Sequence, residues 1–155
     1  MKEIVEFLIE NNKTIATMES CTGGLLAEQI TSIEGASKVL KYSAITYSNE
    51  FKIKMGVDKI IIDKYSVYSE ETAKEMSQKI SDYTNSDYGV GITGKLNRVD
   101  EKNLFGNDNE VFISIYDKEK DTFYTTSLFV SGKTREESRM QVIETFIKTF
   151  NKEII

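Results

Sequence analysis

The run Glu19-Ser20-Cys21-Thr22-Gly23-Gly24 sets a hydroxyl nucleophile, a thiol and two adjacent glycines between strand-forming Thr14–Thr17 and helix-forming Leu25–Ile30. A strand-to-helix turn of this kind gathers backbone N–H donors at a helix N-terminus, where an anion or oxyanion is stabilised. Paired glycines allow positive φ and let a ligand approach the backbone closely. A second junction of the same kind, Tyr47-Ser48-Asn49-Glu50-Phe51-Lys52, holds Lys52 within one helical turn of Ser48. The chain has no histidine and one cysteine, so Ser-His-Asp and Cys-His centres are excluded. A nucleophilic hydroxyl then needs another base, and a desolvated lysine can serve. Taken singly, Ser20 reads as a helix cap, Lys52 as a solvated surface lysine and Tyr47 as a core or edge aromatic. Only the joint pattern carries chemistry. Ser48 competes as nucleophile through its closeness to Lys52, whereas Cys21 has nothing but the helix terminus to activate it and is expected to be dispensable.

These junctions need a scaffold, and strand ends of an α/β sheet converge on one crevice where the two turns can meet. Ile4, Phe7, Leu8 and Asn11, widened by Val5 and Ile9, predict an amphipathic helix over 2–11. A strand over 14–17 and a helix over about 23–32 follow, then a turn at Gly35-Ala36-Ser37 and a strand over 42–47. Ser48-Asn49-Glu50 predicts a cap for a short helix from Glu50 to Met55, and residues 57–68 a short helical piece. Ser69-Glu70-Glu71 opens a helix over about 70–84, with Ala73, Met76, Ile80 and Tyr83 on one face. Tyr88–Ile92 reads as a buried strand, 94–110 as a long polar loop, and Val111–Tyr116 with Thr122–Val130 as an antiparallel hairpin. The capping box Thr134-Arg135-Glu136-Glu137 starts a last helix with Met140, Ile143, Phe146, Ile147 and Phe150 inward. The alternation predicts a layered α/β domain with a mixed sheet.

Composition narrows the function. At 155 residues, 39% hydrophobic and 29% charged, the chain has the size and balance of one soluble globular domain. No apolar run reaches the ~20 residues of a membrane span, and the first residues show no secretory cleavage pattern. One cysteine suits a reducing cytoplasm. A net charge of −5 without a massed basic segment disfavours nucleic acid as a partner. Metal ligation would fall to carboxylates alone, and no spaced cluster of them stands out, so no metal and no cofactor is expected.

The Glu19–Gly24 run, Gly35-Ala36-Ser37 and Thr46-Tyr47-Ser48-Asn49-Glu50-Phe51-Lys52, taken together, resemble the C-terminal domain family of the competence/damage-inducible protein CinA. The likeness continues through Val67–Met76, Gly91-Ile92-Thr93-Gly94 and Gly132–Arg139. That family contains the nicotinamide mononucleotide deamidases. The resemblance implies a three-layer α/β/α sandwich over 1–155, without the further N-terminal domain many CinA proteins carry. It also implies hydrolysis of the nicotinamide amide of nicotinamide mononucleotide to nicotinic acid mononucleotide and ammonia by a Ser/Lys dyad, without metal or cofactor. Ser20 would then be nucleophile, Lys52 general base, and Tyr47 an orienting or relaying phenol. Glu19, Thr22, Gly23, Gly24, Ser48, Asn49, Thr93 and Gly94 would line the substrate, with the Thr22, Gly23 and Gly24 N–H groups as oxyanion donors. A homodimer is expected. The family usually continues past Gly-Ile-x-Gly with a proline- and glycine-rich loop, whereas this chain reads Gly94-Lys95-Leu96-Asn97-Arg98 and has no proline. The alternative is therefore a nucleotide-binding or interaction domain that has lost turnover. The substrate phosphate needs a cation. Arg135 and Arg139 share a helix face, so Arg139 is its candidate and Arg98 the alternative.

Overall fold

The computed structural model describes residues 1–155. In chain order the elements are α1 (Lys2–Glu10), β1 (Ile15–Glu19), α2 (Leu25–Thr31), β2 (Leu40–Ile45), α3 (Asn49–Lys54), α4 (Lys59–Tyr65), α5 (Glu70–Thr84), β3 (Tyr88–Gly94), β4 (Glu110–Asp117), β5 (Thr122–Phe129) and α6 (Arg135–Glu153). A 3-10 turn at Ala36–Lys38 precedes β2. The strands form one sheet in the order β2-β1-β3-β4-β5. β1 is parallel to both neighbours, and the β3–β4 and β4–β5 pairs are antiparallel.

Side-chain alternation divides the core into two layers. Ile15, Val90, Ile92, Val111, Ile113 and Ile115 pack against Leu8 of α1, Leu26 and Ile30 of α2, and Val142, Phe146 and Phe150 of α6. On the other face Ala16, Met18 and Ala44 meet Ile62 of α4 and Met76 and Ile80 of α5. The chain thus forms the expected three-layer α/β/α arrangement around a mixed sheet. α5 lies very close to β3: a Cβ on Gly89 would stand 1.9 Å from Ser77 O, and one on Gly91 2.2 Å from Ala73 O.

Some boundaries depart from expectation. β1 runs to Glu19 rather than Thr17, because every residue of this central parallel strand is buried and no alternation marks its end. The short helical piece expected within 57–68 is there, trimmed to residues 59–65. Tyr83 of α5 is not inward. It lies exposed against Tyr42, ring centroids 5.9 Å apart. Asn11 is exposed too, and its amide caps α1 at Phe7 O.

α2 leaves β1 along one face of the sheet, while α3 to α5 carry the chain from β2 to β3 along the other. The two connections part at the C-terminal end of β1, the kind of switch point at which open α/β sheets form their binding crevice.

Candidate active site

Ser20 occupies that point. Its N–H donates to Ile92 O at 3.0 Å, and Thr46 N–H donates to Glu19 O at 2.8 Å, so sheet hydrogen bonding continues past β1 on both sides. Ser48 caps α3, its Oγ accepting from Phe51 N–H at 3.3 Å, and so starts the helix whose first turn carries Lys52. Lys52 turns inward and is 1% exposed. Its Nζ lies 3.1 Å from Ser20 Oγ and 2.7 Å from Thr46 O. Burial lowers the lysine from 10.5 to about 8, with the Cys21 thiol acting in the opposite sense. About a tenth of such an amine is free at pH 7. Burial also pushes the Cys21 thiol up to about 12, against the pull of Lys52.

Glu19 works inside the turn. Its carboxylate is fully buried and accepts from Thr22 Oγ1 (2.7 Å), Gly24 N–H (3.1 Å), Leu26 N–H (3.0 Å) and Ala27 N–H (2.9 Å). It satisfies the orphan donors at the N-terminus of α2 and places its charge on the positive end of the dipole. Gly24, with φ of +95°, is the cap residue that lets the backbone fold onto that carboxylate. Two of the three N–H groups expected to face an oxyanion are therefore spent: Gly24 on Glu19, and Gly23 on Ser20 O at 3.0 Å. No carbonyl accepts from the amides of Cys21 and Thr22, and the Cys21 N–H meets only its own thiol.

The loop after β3 reaches the same crevice. Lys95 is buried, paired with Asp108 at 3.1 Å, and its Nζ stands 5.3 Å from the Tyr68 ring centroid. Tyr68 donates to Asp100 at 2.5 Å. Asp100 also accepts from Asn103, and Asn103 accepts from Asn49 of α3 at 3.1 Å. The bond from Tyr68, with that from Asn103, holds the Asp100 carboxyl down at about 2. Burial and the bond to Asp100 raise the Tyr68 phenol well above its ordinary value. Thr93 Oγ1 is spent on Val67 O at 2.8 Å, and Gly94 packs against the Glu110 and Val111 backbone. Two open surface hollows of about 350 and 420 Å³ lie elsewhere, and neither is lined by Ser20 or Lys52.

The family model of the CinA C-terminal domain matches residues 1–154. The chain belongs to that family. A putative competence-damage inducible protein of Thermoanaerobacter pseudethanolicus is 48% identical over 96 residues, 61% of this chain and 23% of that protein. A CinA-like protein of Endomicrobium trichonymphae is 34% identical over 151 residues, 96% of this chain and 34% of its own length. This CinA domain thus spans about a quarter to a third of the curated relatives it matches. In fold it is similar to a CinA-superfamily protein of Escherichia coli, with TM-score 0.87 at 23% identity, over 96% of this chain and 85% of that one. A competence damage-inducible protein A of Klebsiella pneumoniae gives TM-score 0.89 at 20% identity, over 98% and 92% of the two chains.

In this CinA domain α6 closes the remaining side of the crevice, within one chain. Arg139 Nε donates to Thr22 O at 2.7 Å, and Arg135 donates to the Tyr47 hydroxyl at 2.9 Å. Their hydrogen bonds go to the site rather than to Glu136 or Glu137. Tyr47 is 63% exposed and bonds to neither Ser20 nor Lys52, so it stands at the rim rather than beside the dyad. Arg98 is exposed in the loop. Sequence reasoning missed Tyr68, Lys95 and Thr46 as site neighbours. Tyr68 and Thr46 lie within the resembling motifs, but Lys95 carries no local signal at all.

Proposed function

We propose that this domain is a nicotinamide-nucleotide amidohydrolase, with Ser20 as nucleophile and Lys52 as general base. The observation that carries the reading is a fully buried lysine amine 3.1 Å from a serine hydroxyl at the fold's switch point. As free amine, Lys52 Nζ takes the Ser20 proton while Oγ attacks the carboxamide carbon. The carboxamide oxygen becomes an oxyanion at the N-terminal end of α2. The N–H groups of Cys21, the residue after the nucleophile, and of Thr22, taken by no carbonyl, are its donors. The Lys52 ammonium then protonates the departing nitrogen, ammonia leaves, and an acyl ester remains on Ser20. Water attacks that ester, giving its proton to Lys52, and the carboxylic acid is released as Ser20 Oγ recovers a proton. Glu19 holds the turn rather than the substrate. Tyr68, Tyr47 and Arg135 line the approach, and Arg139, braced on the turn, is the phosphate candidate.

The test is ammonia release from nicotinamide mononucleotide by the purified chain. Activity in the wild type, lost in Ser20→Ala and kept in Ser48→Ala, supports the reading. Nucleotide binding without ammonia release would instead favour a domain that has lost turnover, the outcome that the rebuilt loop around Lys95 makes worth testing. The family resemblance also supports a cytoplasmic homodimer, which sedimentation velocity of the purified chain checks.

A further inference from the structure

A lysine amine that shuttles a proton changes its hydrogen-bond needs twice per turnover. Free Lys52 has two N–H donors and one lone pair, whereas its ammonium has three donors and no acceptor. Thr46 O accepts one N–H, and Ser20 Oγ takes a second position in either state. One N–H is left over. On a neutral amine that is a small cost, but on an ammonium buried away from water an unpaired donor is expensive.

The same corner of the fold holds an unpaired acceptor. Thr46 is 2% exposed, and its Oγ1 is one of two buried side-chain polar atoms in the chain with no hydrogen-bond partner. The other, Asn151 Oδ1, sits at the far end of α6, where the Asn151 amide nitrogen is bound to Glu3. The Thr46 backbone is fully engaged, its N–H on Glu19 O and its carbonyl on Lys52 Nζ. The orphan hydroxyl therefore belongs to the residue clamped between the strand of the nucleophile and the base. A threonine χ1 has three staggered wells. A 120° turn carries hydroxyl and γ-methyl round together and sets one of them where the Cβ hydrogen stood, so the swing asks a small adjustment of its neighbours.

We propose that Thr46 is a positioning residue for this dyad: whenever Lys52 is an ammonium, at rest or once Ser20 has passed it a proton, Thr46 Oγ1 turns to accept the third N–H. The inference rests on the amidohydrolase reading for its place in turnover, but not for the contact itself. The proton moves from Ser20 Oγ to Lys52 Nζ and on to the departing nitrogen, and Thr46 exchanges none. No titratable group around Lys52 can do this work. Cys21, the one titratable group acting on it, stays a neutral thiol below about 12. The Glu19 carboxylate is turned into α2, and Arg135, approaching from α6, is itself a cation.

Thr46→Val keeps shape and removes the hydroxyl. Expected are an unchanged or higher melting temperature, kcat lower by about tenfold with KM unchanged, and an acid limb of the rate profile about one pH unit lower. Thr46→Ser is expected to restore kcat and the limb. Should the valine variant fail to fold, Thr46→Ala carries the same readouts. An NMR titration of Lys52 with 13Cε-labelled lysine reads the contact without turnover. It is expected to give the same downward shift in Thr46→Val even if no ammonia is released by the wild type. An unshifted Lys52 titration in Thr46→Val would overturn the proposal whatever the enzyme does. So would a wild-type kcat in Thr46→Val, or equal kcat losses in the serine and valine variants.

Discussion

A lysine serves as a base near neutrality only where its cation is disfavoured, and at Lys52 burial does this. Turnover is expected to rise with pH through about 8 and level off above it, because only the free amine can accept the Ser20 proton. Lys52→Arg is expected to be as inactive as Lys52→Ala, since a guanidinium stays protonated in a protein. Full activity in Lys52→Arg would show that position 52 supplies charge rather than proton transfer. The lowered pKa has a stability signature as well. Below about 8 the lysine is protonated folded and unfolded, and the native state carries the whole cost of a buried ammonium. Between about 8 and 10.5 the folded lysine has lost its proton while the unfolded one keeps it, so stability rises with pH across that window. Lys52→Met should therefore unfold later than wild type in urea at pH 7, by about 2 kcal/mol after allowing for the lost bond to Thr46 O. The gain should be gone by pH 10.5, and a methionine variant less stable than wild type at both pH values would refute the burial argument. Cys21, 6% exposed and a thiol well beyond neutral pH, should resist alkylation in the native protein, and Cys21→Ser should keep its activity.

Among the elements, α2 is the one built around a single side chain. Its seven residues are too few to hold their shape alone. Glu19 supplies what length does not, accepting three of the turn and helix N–H groups and the Thr22 hydroxyl. Glu19→Gln replaces an acceptor oxygen by an NH₂ group facing N–H donors. Chemical denaturation is expected to show a loss of about 3 kcal/mol, together with loss of turnover as the Ser20 turn loosens. Thr22→Val removes only one of these bonds and should cost about 1 kcal/mol, and equal costs would contradict the cap role of Glu19. This role was hidden in the sequence, where an acid beside a serine reads as a ligand contact, because the amides it serves are defined only once the turn has closed. Elements that announce themselves locally were legible: the Ser69 cap of α5, the Thr134–Glu137 capping box of α6 and the β4–β5 hairpin all stand where the pattern puts them. The end of β1 was not, since a strand buried on both faces shows no alternation. Ser20 and Lys52 were legible as a pair because the absence of histidine leaves few other bases. The Tyr68–Asp100–Asn103–Asn49 chain was not, because its members are brought together only by tertiary folding.

Over the whole molecule, a chain of net charge −5 places two of its three arginines on one side of one crevice. That concentration runs against the overall charge and suits a substrate bearing a dianionic phosphate. The two arginines differ in what they are free to do. Arg135 is exposed and reaches Tyr47 at the rim, whereas Arg139 is half-buried and spends its Nε on the Thr22 carbonyl, beside one of the two amides that no carbonyl takes. The Nη2 of Arg139 lies 3.8 Å from where a Cβ on Gly23 would stand, over the turn itself. Arg139→Ala therefore has two separable consequences. Losing the brace on Thr22 should slow turnover of any amide substrate, by about tenfold for one charge-assisted hydrogen bond. Losing a phosphate contact should fall only on the nucleotide, as a further loss of about ten- to a hundredfold in kcat/KM. Assaying the variant on nicotinamide mononucleotide and on its dephosphorylated nucleoside isolates the second effect as a change in their ratio. Arg98→Ala, exposed on the loop and bonded to nothing in the turn, should leave that ratio unchanged. If Arg139→Ala lowers both substrates equally while Arg98→Ala selectively damages the nucleotide, the phosphate sits on the rebuilt loop and Arg139 is a brace for the turn alone.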